Sequence, residues 1–136
     1  MNPRDIETDW LCTVEFLSTS DAETRAWDAE DLGYLLGYAE LTDTRVLALV
    51  GHRRNEAYEI FFGFSSPEGK ERFLNLVRSN EDMGYSYVRD EFLVPTPVEI
   101  QNARPLATVV PRDVIVHATL IASMLVASVK HDHTAS

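Results

Sequence analysis

The side chains that could act as catalytic nucleophiles are few and poorly placed for that role. The single cysteine, Cys12, falls on the more apolar face of a predicted strand. A nucleophilic thiol or hydroxyl needs an adjacent base, and neither a GxSxG nor an SxxK motif is present. We therefore interpret Cys12 as a small buried apolar residue. A lone cysteine also excludes an intramolecular disulfide and a multi-cysteine metal site.

Metal-ligating side chains group only at His131-Asp132-His133, on a predicted frayed end of the chain. Metal sites need rigid elements and supporting hydrogen bonds, so this group is not a convincing site. His117 falls within an apolar helical pattern, which favours a buried or interface histidine. The six glycines form neither GxGxxG nor GxxxxGK, the phosphate-binding loops. The sequence therefore predicts neither a metal nor a cofactor.

Carboxylates are abundant, with the densest group at Asp28, Glu30 and Asp31. General acid–base chemistry needs such groups in a pocket that shifts their pKa values, whereas an open helix leaves them solvated. We therefore assign no catalytic residues, and enzyme function is not favoured. The remaining enzymatic alternative is a polar set on one face of a predicted fourth strand: Tyr85, Tyr87, Arg89 and Glu91.

The predicted first helix carries most of the functional information. Ser20 and Glu23 match a capping box, which predicts a helix from Asp21 to about Leu36 that ends at Gly37. A break near Trp27 stays open as an alternative. At about 100° per residue, the small residues share one stripe, which we expect to face the sheet. These residues are Ala22, Ala26, Ala29 and Gly33.

Trp27 and Tyr34 share another stripe of this helix, seven residues apart. Glu23, Glu30 and Asp31 lie around Trp27 at i−4, i+3 and i+4. One interpretation places Trp27 at the domain edge, beneath another helix or a loop. The other is an aromatic anchor with an acidic rim that binds a protein partner. The predicted partner-binding residues are therefore Glu23, Trp27, Glu30, Asp31 and Tyr34.

The elements that must position these residues alternate between strand-like and helix-like patterns. Strands are predicted at Trp10–Leu17, Arg45–Gly51, Ala57–Phe64 and Tyr85–Val94, and a second helix follows the N-cap Ser66. The order β-α-β-β-α-β predicts a ferredoxin-like α+β fold, whose antiparallel sheet carries both helices on one face. The second and third strands should form a hairpin across residues 52–56.

The chain after Pro97 is a candidate cover for the other face of the sheet. Residues 98 to 110 are predicted to be irregular, with one short strand near Ala107–Val110. An additional C-terminal helix follows, from Val114 to about Lys130. Its narrow side, with Ala118, Ala122 and Ser123, could form a homodimer through the helix 114–130. Gly33 and Gly37 form GxxxG, which indicates close packing or helix termination in a soluble segment.

Composition bounds the class of protein. The chain has 136 residues, 45% of them hydrophobic, with 12 basic and 22 acidic residues and a net charge of −10. We expect flexible residues 1–8, a single α+β domain over 9–130, and a flexible tail over 131–136. The net negative charge disfavours nucleic-acid binding. The apolar residues 114–129 fall short of the roughly 20 residues that span a bilayer.

The acidic N-terminus does not resemble a signal peptide, and the lone cysteine fits a reducing compartment, so a cytoplasmic location without membrane binding is expected. Residues 21–43 hold seven acidic residues and one basic residue, Arg25. We therefore predict an acidic interaction or regulatory module, such as an inhibitor or immunity-type protein that docks on a basic partner. The alternative is a small-molecule-sensing ferredoxin-like homodimer, by analogy of fold alone.

Overall fold

The computed structural model describes residues 9–12, 16–17, 22–50, 57–80 and 94–135. The strands in this part of the chain are β1 (Asp9–Cys12), β2 (Phe16–Leu17), β3 (Arg45–Val50) and β4 (Ala57–Phe64). The helices are α1 (Ala22–Leu41), α2 (Pro67–Ser79), α3 (Pro97–Asn102) and α4 (Arg112–Ala135), with a 3-10 turn at Leu106–Thr108. The fold class is α+β, as predicted.

β4 is the central strand of an antiparallel sheet. β3 pairs antiparallel along one side of it, as the predicted hairpin requires, with Arg45 opposite Gly63 and Val50 opposite Tyr58. β1 and then β2 pair along its other side. The pairing offset changes by one residue between Cys12–Phe61 and Phe16–Tyr58. The strand predicted over Trp10–Leu17 is confirmed at residues 10–12 and 16–17, but its strict alternation is not kept across that offset.

The predicted fourth strand, Tyr85–Val94, falls outside the described residues except for its exposed last residue. The described sheet is therefore three strands wide, with β1 and β2 sharing one side of β4. β1 and β3 run parallel to each other on either side of the antiparallel β4, and α1 lies between them in the chain.

One face of the sheet carries the main core. Ile60, Phe62 and Phe64 of β4 are buried on this face, beneath α1, α2 and α4. The ring of Phe73 from α2 lies 5.0 Å from that of Phe62 and 5.4 Å from that of Phe64. Each aromatic ring buried in this way contributes about 1.5–3 kcal/mol. This core holds α1 in place and determines which of its faces remains outside.

The opposite face carries a second, smaller core that includes Trp10, Phe61 and Ile100. The Trp10 ring lies directly over Gly63, where an added Cβ would approach it to 2.7 Å. α3 supplies Ile100, so the chain after Pro97 does cover this face. It does so as a helix, followed by a two-bond bridge between Arg104 and Ala48. The prediction of an irregular segment with a strand near Ala107–Val110 was wrong.

α1 does not end at Gly37 and has no break near Trp27; it continues to Leu41. Its end is a Schellman motif, in which Thr44 N–H donates to the Ala39 carbonyl at 2.8 Å and Asp43 N–H to the Glu40 carbonyl at 3.4 Å. Asp43 adopts the left-handed conformation, with φ of 53°, that glycine usually supplies at this position.

Gly33 and Gly37 instead allow α1 and α4 to approach closely. An added Cβ at Gly33 would lie 2.7 Å from the Cβ of Ile121, and one at Gly37 would lie 2.7 Å from Cδ2 of Leu125. The contacts advance in the same direction along both helices, so α1 and α4 run parallel. Close packing was therefore the correct interpretation of GxxxG. The expectation that the small-residue stripe faces the sheet was wrong at Gly33, which faces α4, and at Ala26, which is exposed.

α2 begins as predicted. Ser66 Oγ accepts a hydrogen bond from Gly69 N–H at 3.0 Å, Pro67 occupies the first turn and Glu68 lies near the positive end of the helix dipole. Phe73 and Val77 are buried in the main core. Lys70 Nζ lies 2.7 Å from Asp9 Oδ2, which ties α2 to β1.

Candidate docking surface on the first helix

The predicted partner-binding residues with described side chains lie on the side of α1 that turns away from the sheet. We call Trp27, Glu30, Asp31 and Tyr34 the α1 outer face. Trp27 is 68% exposed and Glu30 is exposed, whereas Asp31 and Tyr34 are half-buried. Glu23 belongs to α1, but its side chain lies outside the described residues. The structure thus places these four residues on one surface.

The opposite side of α1 explains this orientation. Ala29, Leu32, Leu35 and Ala39 recur at helical spacing and are buried in the main core. The glycine side of the helix is covered by α4. One side of the helix packs in the main core and another packs against α4, so Trp27 is left on the outer side. The interpretation that Trp27 lies beneath another helix or a loop does not fit its exposure.

Tyr34 is held by its surroundings. Its ring stacks on that of Tyr38, with centroids 6.4 Å apart and planes inclined by 28°. The Tyr38 hydroxyl accepts a hydrogen bond from Asn80 Nδ2 at 3.1 Å. Burial raises the pKa of Tyr38; nearby Tyr34 adds to this rise, and the Asn80 hydrogen bond opposes it. The surface therefore combines a fixed, half-buried tyrosine with a projecting tryptophan.

The charge near this surface is negative. Glu30 and Asp31 belong to it, and Asp28 is half-buried beside it, where loss of solvent raises the pKa of its carboxyl group. Two ion pairs, Lys70–Asp9 and Arg78–Glu71, involve α2. An aromatic anchor beside carboxylates is suited to a partner that presents arginine or lysine, which pair with carboxylates and pack on aromatic rings.

A second exposed feature lies on α4. Val116, Leu120 and Met124, spaced four residues apart, are 60%, 59% and 65% exposed, and we call them the α4 stripe. His117 lies beside this stripe and is exposed, so the buried alternative for this histidine is wrong, and the interface alternative stays a prediction. A shallow depression of about 620 Å³ lies between His117, Leu120 and the first turn of the helix.

The narrow side of α4 is used within the chain. Ala118 and Ala122 are buried, and the Ala118 carbonyl oxygen would lie only 3.0 Å from a Cβ added at Gly33. Homodimer contacts would therefore use the α4 stripe and not this side. Residues 112–130 of α4 also have the length and composition of a helix that could cross a membrane. This is weak evidence for a membrane span, because the core helices of soluble proteins meet the same criteria.

Sequence reasoning missed two buried carboxylates. Glu59 of β4 and Glu99 of α3 are almost fully buried. Glu99 and Thr96 form a capping box, in which the Glu99 carboxylate accepts from Thr96 N–H at 3.0 Å and Thr96 Oγ1 accepts from Glu99 N–H at 3.2 Å. The TxxE spacing was a usable signal for Glu99. Glu59 had only its alternation with Phe61 to indicate burial.

Within the described part of the chain, no group of three His, Cys, Asp or Glu side chains is arranged to hold a metal ion. The His131 and His133 side chains, and the polar set at Tyr85, Tyr87, Arg89 and Glu91, lie outside the described residues. No protein-family model matches the chain, and no curated protein or solved structure shows significant similarity to it.

Proposed function

We propose that this chain is an acidic protein-interaction or regulatory module, of the inhibitor or immunity type, that docks on a basic protein through the α1 outer face. The observation that carries the proposal is the 68% exposure of Trp27 beside Glu30. Tryptophan is enriched among the residues that dominate binding energy at interfaces. Contact with a partner would remove this large apolar side chain from water.

Charge supports a basic partner. The net charge of −10 repels phosphate backbones and attracts cationic proteins, and this steering raises association rates at low ionic strength. A protein partner, rather than a nucleic acid or a membrane, and a cytoplasmic location belong to the same proposal. The lone Cys12 is compatible with a reducing compartment.

The test compares the proteins from the native host that are retained by the immobilised chain and by two variants, Trp27→Ala and Glu30→Lys. We expect a basic protein whose retention falls by about thirtyfold with Trp27→Ala, the loss typical of an interface hot spot. Glu30→Lys should weaken retention more at low salt than at high salt, because salt screens the interaction between exposed charges. Direct titration of the purified partner then gives the affinities.

The matched controls are Val98→Ala, an exposed apolar side chain on α3, and Glu40→Lys, an exposed acidic residue near the end of α1. Neither should weaken binding by more than about twofold. Circular dichroism establishes that all four variants are folded. Equal binding by the natural chain and a folded Trp27→Ala variant, for every partner captured, would overturn the proposal.

The α4 stripe favours a second candidate function, a small-molecule-sensing homodimer. A two-fold symmetric pair could bury Val116, Leu120 and Met124 against the same residues of a second copy. Light scattering should then give twice the monomer mass for the natural chain and the monomer mass for Leu120→Glu. Thr119→Glu is the control, because Thr119 is exposed on the same helix outside the stripe. A monomeric natural chain contradicts this candidate.

We also propose that the complete fold is ferredoxin-like, with Tyr85–Val94 as the fourth strand beside β1. The described arrangement supports this, because parallel β1 and β3 flank the antiparallel β4 and are connected by α1. Nuclear Overhauser contacts between backbone protons of residues 85–94 and β1 are expected. Contacts of this segment with the outer edge of β3 alone would contradict that topology.

A further inference from the structure

A cleft opens where α1 and α2 end beside the later part of α4, and we call it the terminal cleft. Its volume is about 500 Å³, within the range of small-molecule sites. Leu41, Leu76 and Val129 contribute its apolar wall, one from each of the three helices. The terminal cleft is separate from the set of residues proposed above as the docking surface.

The two hydroxyl groups of this cleft already donate their protons within the chain. Thr42 Oγ1 donates to the Tyr38 carbonyl at 2.8 Å, and Ser79 Oγ donates to the Leu76 carbonyl at 2.7 Å, so only their oxygens remain, as acceptors. Asn75 Oδ1 accepts from Arg78 at 3.3 Å, and the Asn75 amide group can still donate. The cations Arg72 and Lys130 also line the cleft.

The local charge is opposite to that of the whole chain. Among the described residues, two cations and no carboxylate line the terminal cleft, although the chain has a net charge of −10. Within the described residues, neither Arg72 nor Lys130 forms an ion pair. The two cations and the Asn75 amide beside an apolar wall match a ligand with one anionic group and a hydrocarbon part.

The helix ends distinguish between classes of anion. Phosphate sites commonly use helix N-termini, whereas α1 and α2 bring their C-terminal ends to this cleft. Their last carbonyls are partly neutralised, because Tyr38, Ala39 and Leu76 all accept hydrogen bonds. The remaining partial negative charge disfavours a dianion more strongly than a monoanion. A carboxylate therefore fits better than a phosphate.

We propose that the terminal cleft binds a small monocarboxylate with a medium-length apolar chain. The carboxylate lies between Arg72 and Lys130, and the hydrocarbon chain lies against Leu41, Leu76 and Val129. The natural chain should bind octanoate with a dissociation constant in the millimolar range, the strength typical of about ten ligand atoms in an open site.

The experiment is a titration of octanoate into the full chain, followed by amide chemical shifts. We expect shifts at Leu41, Asn75 and Val129, and about a tenfold weaker affinity for the double variant Arg72→Gln/Lys130→Gln. The control is Arg112→Gln, which removes one exposed cation at the opposite end of α4. Its affinity should remain within about twofold of the natural chain.

Uncharged octanol and dianionic octyl phosphate complete the test. Octanoate should bind more tightly than either compound, because only octanoate combines one negative charge with the apolar chain. The inference is overturned if octanoate causes no shifts at the cleft, if octanol binds equally well, or if Arg112→Gln weakens binding as much as the double variant does. Tighter binding of octyl phosphate would also overturn it.

Discussion

Asp28 follows Trp27 on α1, but its carboxyl group is half-buried and its pKa is raised from the ordinary value of 3.8 by loss of solvent. The folded chain therefore binds the Asp28 proton more tightly than the unfolded chain does. Stability contributed by this group is present at low pH and is lost as the pH rises from 3.8 through the folded pKa. At neutral pH the charged form opposes folding.

We therefore expect Asp28→Asn to increase the free energy of unfolding at pH 7 by less than about 1 kcal/mol, since solvent reaches much of the group. The gain should disappear below pH 3.8, where both states hold the proton. Urea denaturation at a series of pH values measures it, with Glu30→Gln on the exposed face as control. A gain of equal size at low and neutral pH would contradict the assigned cause.

Helical periodicity predicted the position of a side chain well where that position depends on other residues of the same helix. Trp27 and Tyr34 were placed on a separate stripe because the small residues, Ala29 among them, were assigned towards the sheet. Glu59 and the cation Arg72 could not be assigned in this way. Glu59 is buried in the central strand, whose paired neighbours come from other parts of the chain, and the surroundings of Arg72 depend on the ends of α1 and α4.

At the scale of elements, the contact between α1 and α4 depends on two glycines with different neighbours. A Cβ at Gly33 would meet Ile121 Cβ at 2.7 Å and the Ala118 carbonyl oxygen at 3.0 Å, neither of which can move independently of its helix. A Cβ at Gly37 would meet the end of the Leu125 side chain, which can change rotamer. The two positions should therefore differ in their tolerance of alanine.

We expect Gly33→Ala to lower the free energy of unfolding by about 1–3 kcal/mol through overpacking. Gly37→Ala should lower the free energy of unfolding by less, because it requires a smaller rearrangement. Alanine also has a better helix propensity than glycine, which offsets about 1 kcal/mol of that loss. Chemical denaturation of both variants measures the difference. A Gly33→Ala variant as stable as the natural chain would show that α4 does not pack as described.

Element starts were easier to predict than element ends. The cap of α2 is local, because Ser66, Pro67 and Gly69 are neighbours in sequence. The end of α1 was misplaced because Gly37 carries the usual stop signal but is required for the approach of Leu125. The actual end depends on Asp43 in a left-handed conformation that glycine adopts more readily.

At the scale of the molecule, the sheet is covered on both faces by chain segments of unequal size. The main core takes three helices, whereas the second core includes only Ile100 and Ala103 from the region after Pro97. The order of strands and helices predicted that helices cover one face of the sheet. It could not show that a six-residue helix covers the second face, because a helix this short depends on contact with the second core even though a capping box begins it.

Ile100→Ala tests whether α3 covers that face in solution. Ile100 packs with Trp10 and the fully buried Phe61, so its truncation should lower the free energy of unfolding by about 2–4 kcal/mol. Val98→Ala removes an exposed side chain from the same helix and should cost less than about 0.5 kcal/mol. Denaturation followed by tryptophan fluorescence measures both changes. Equal, small effects of the two substitutions would mean that α3 does not form the cover of the second face.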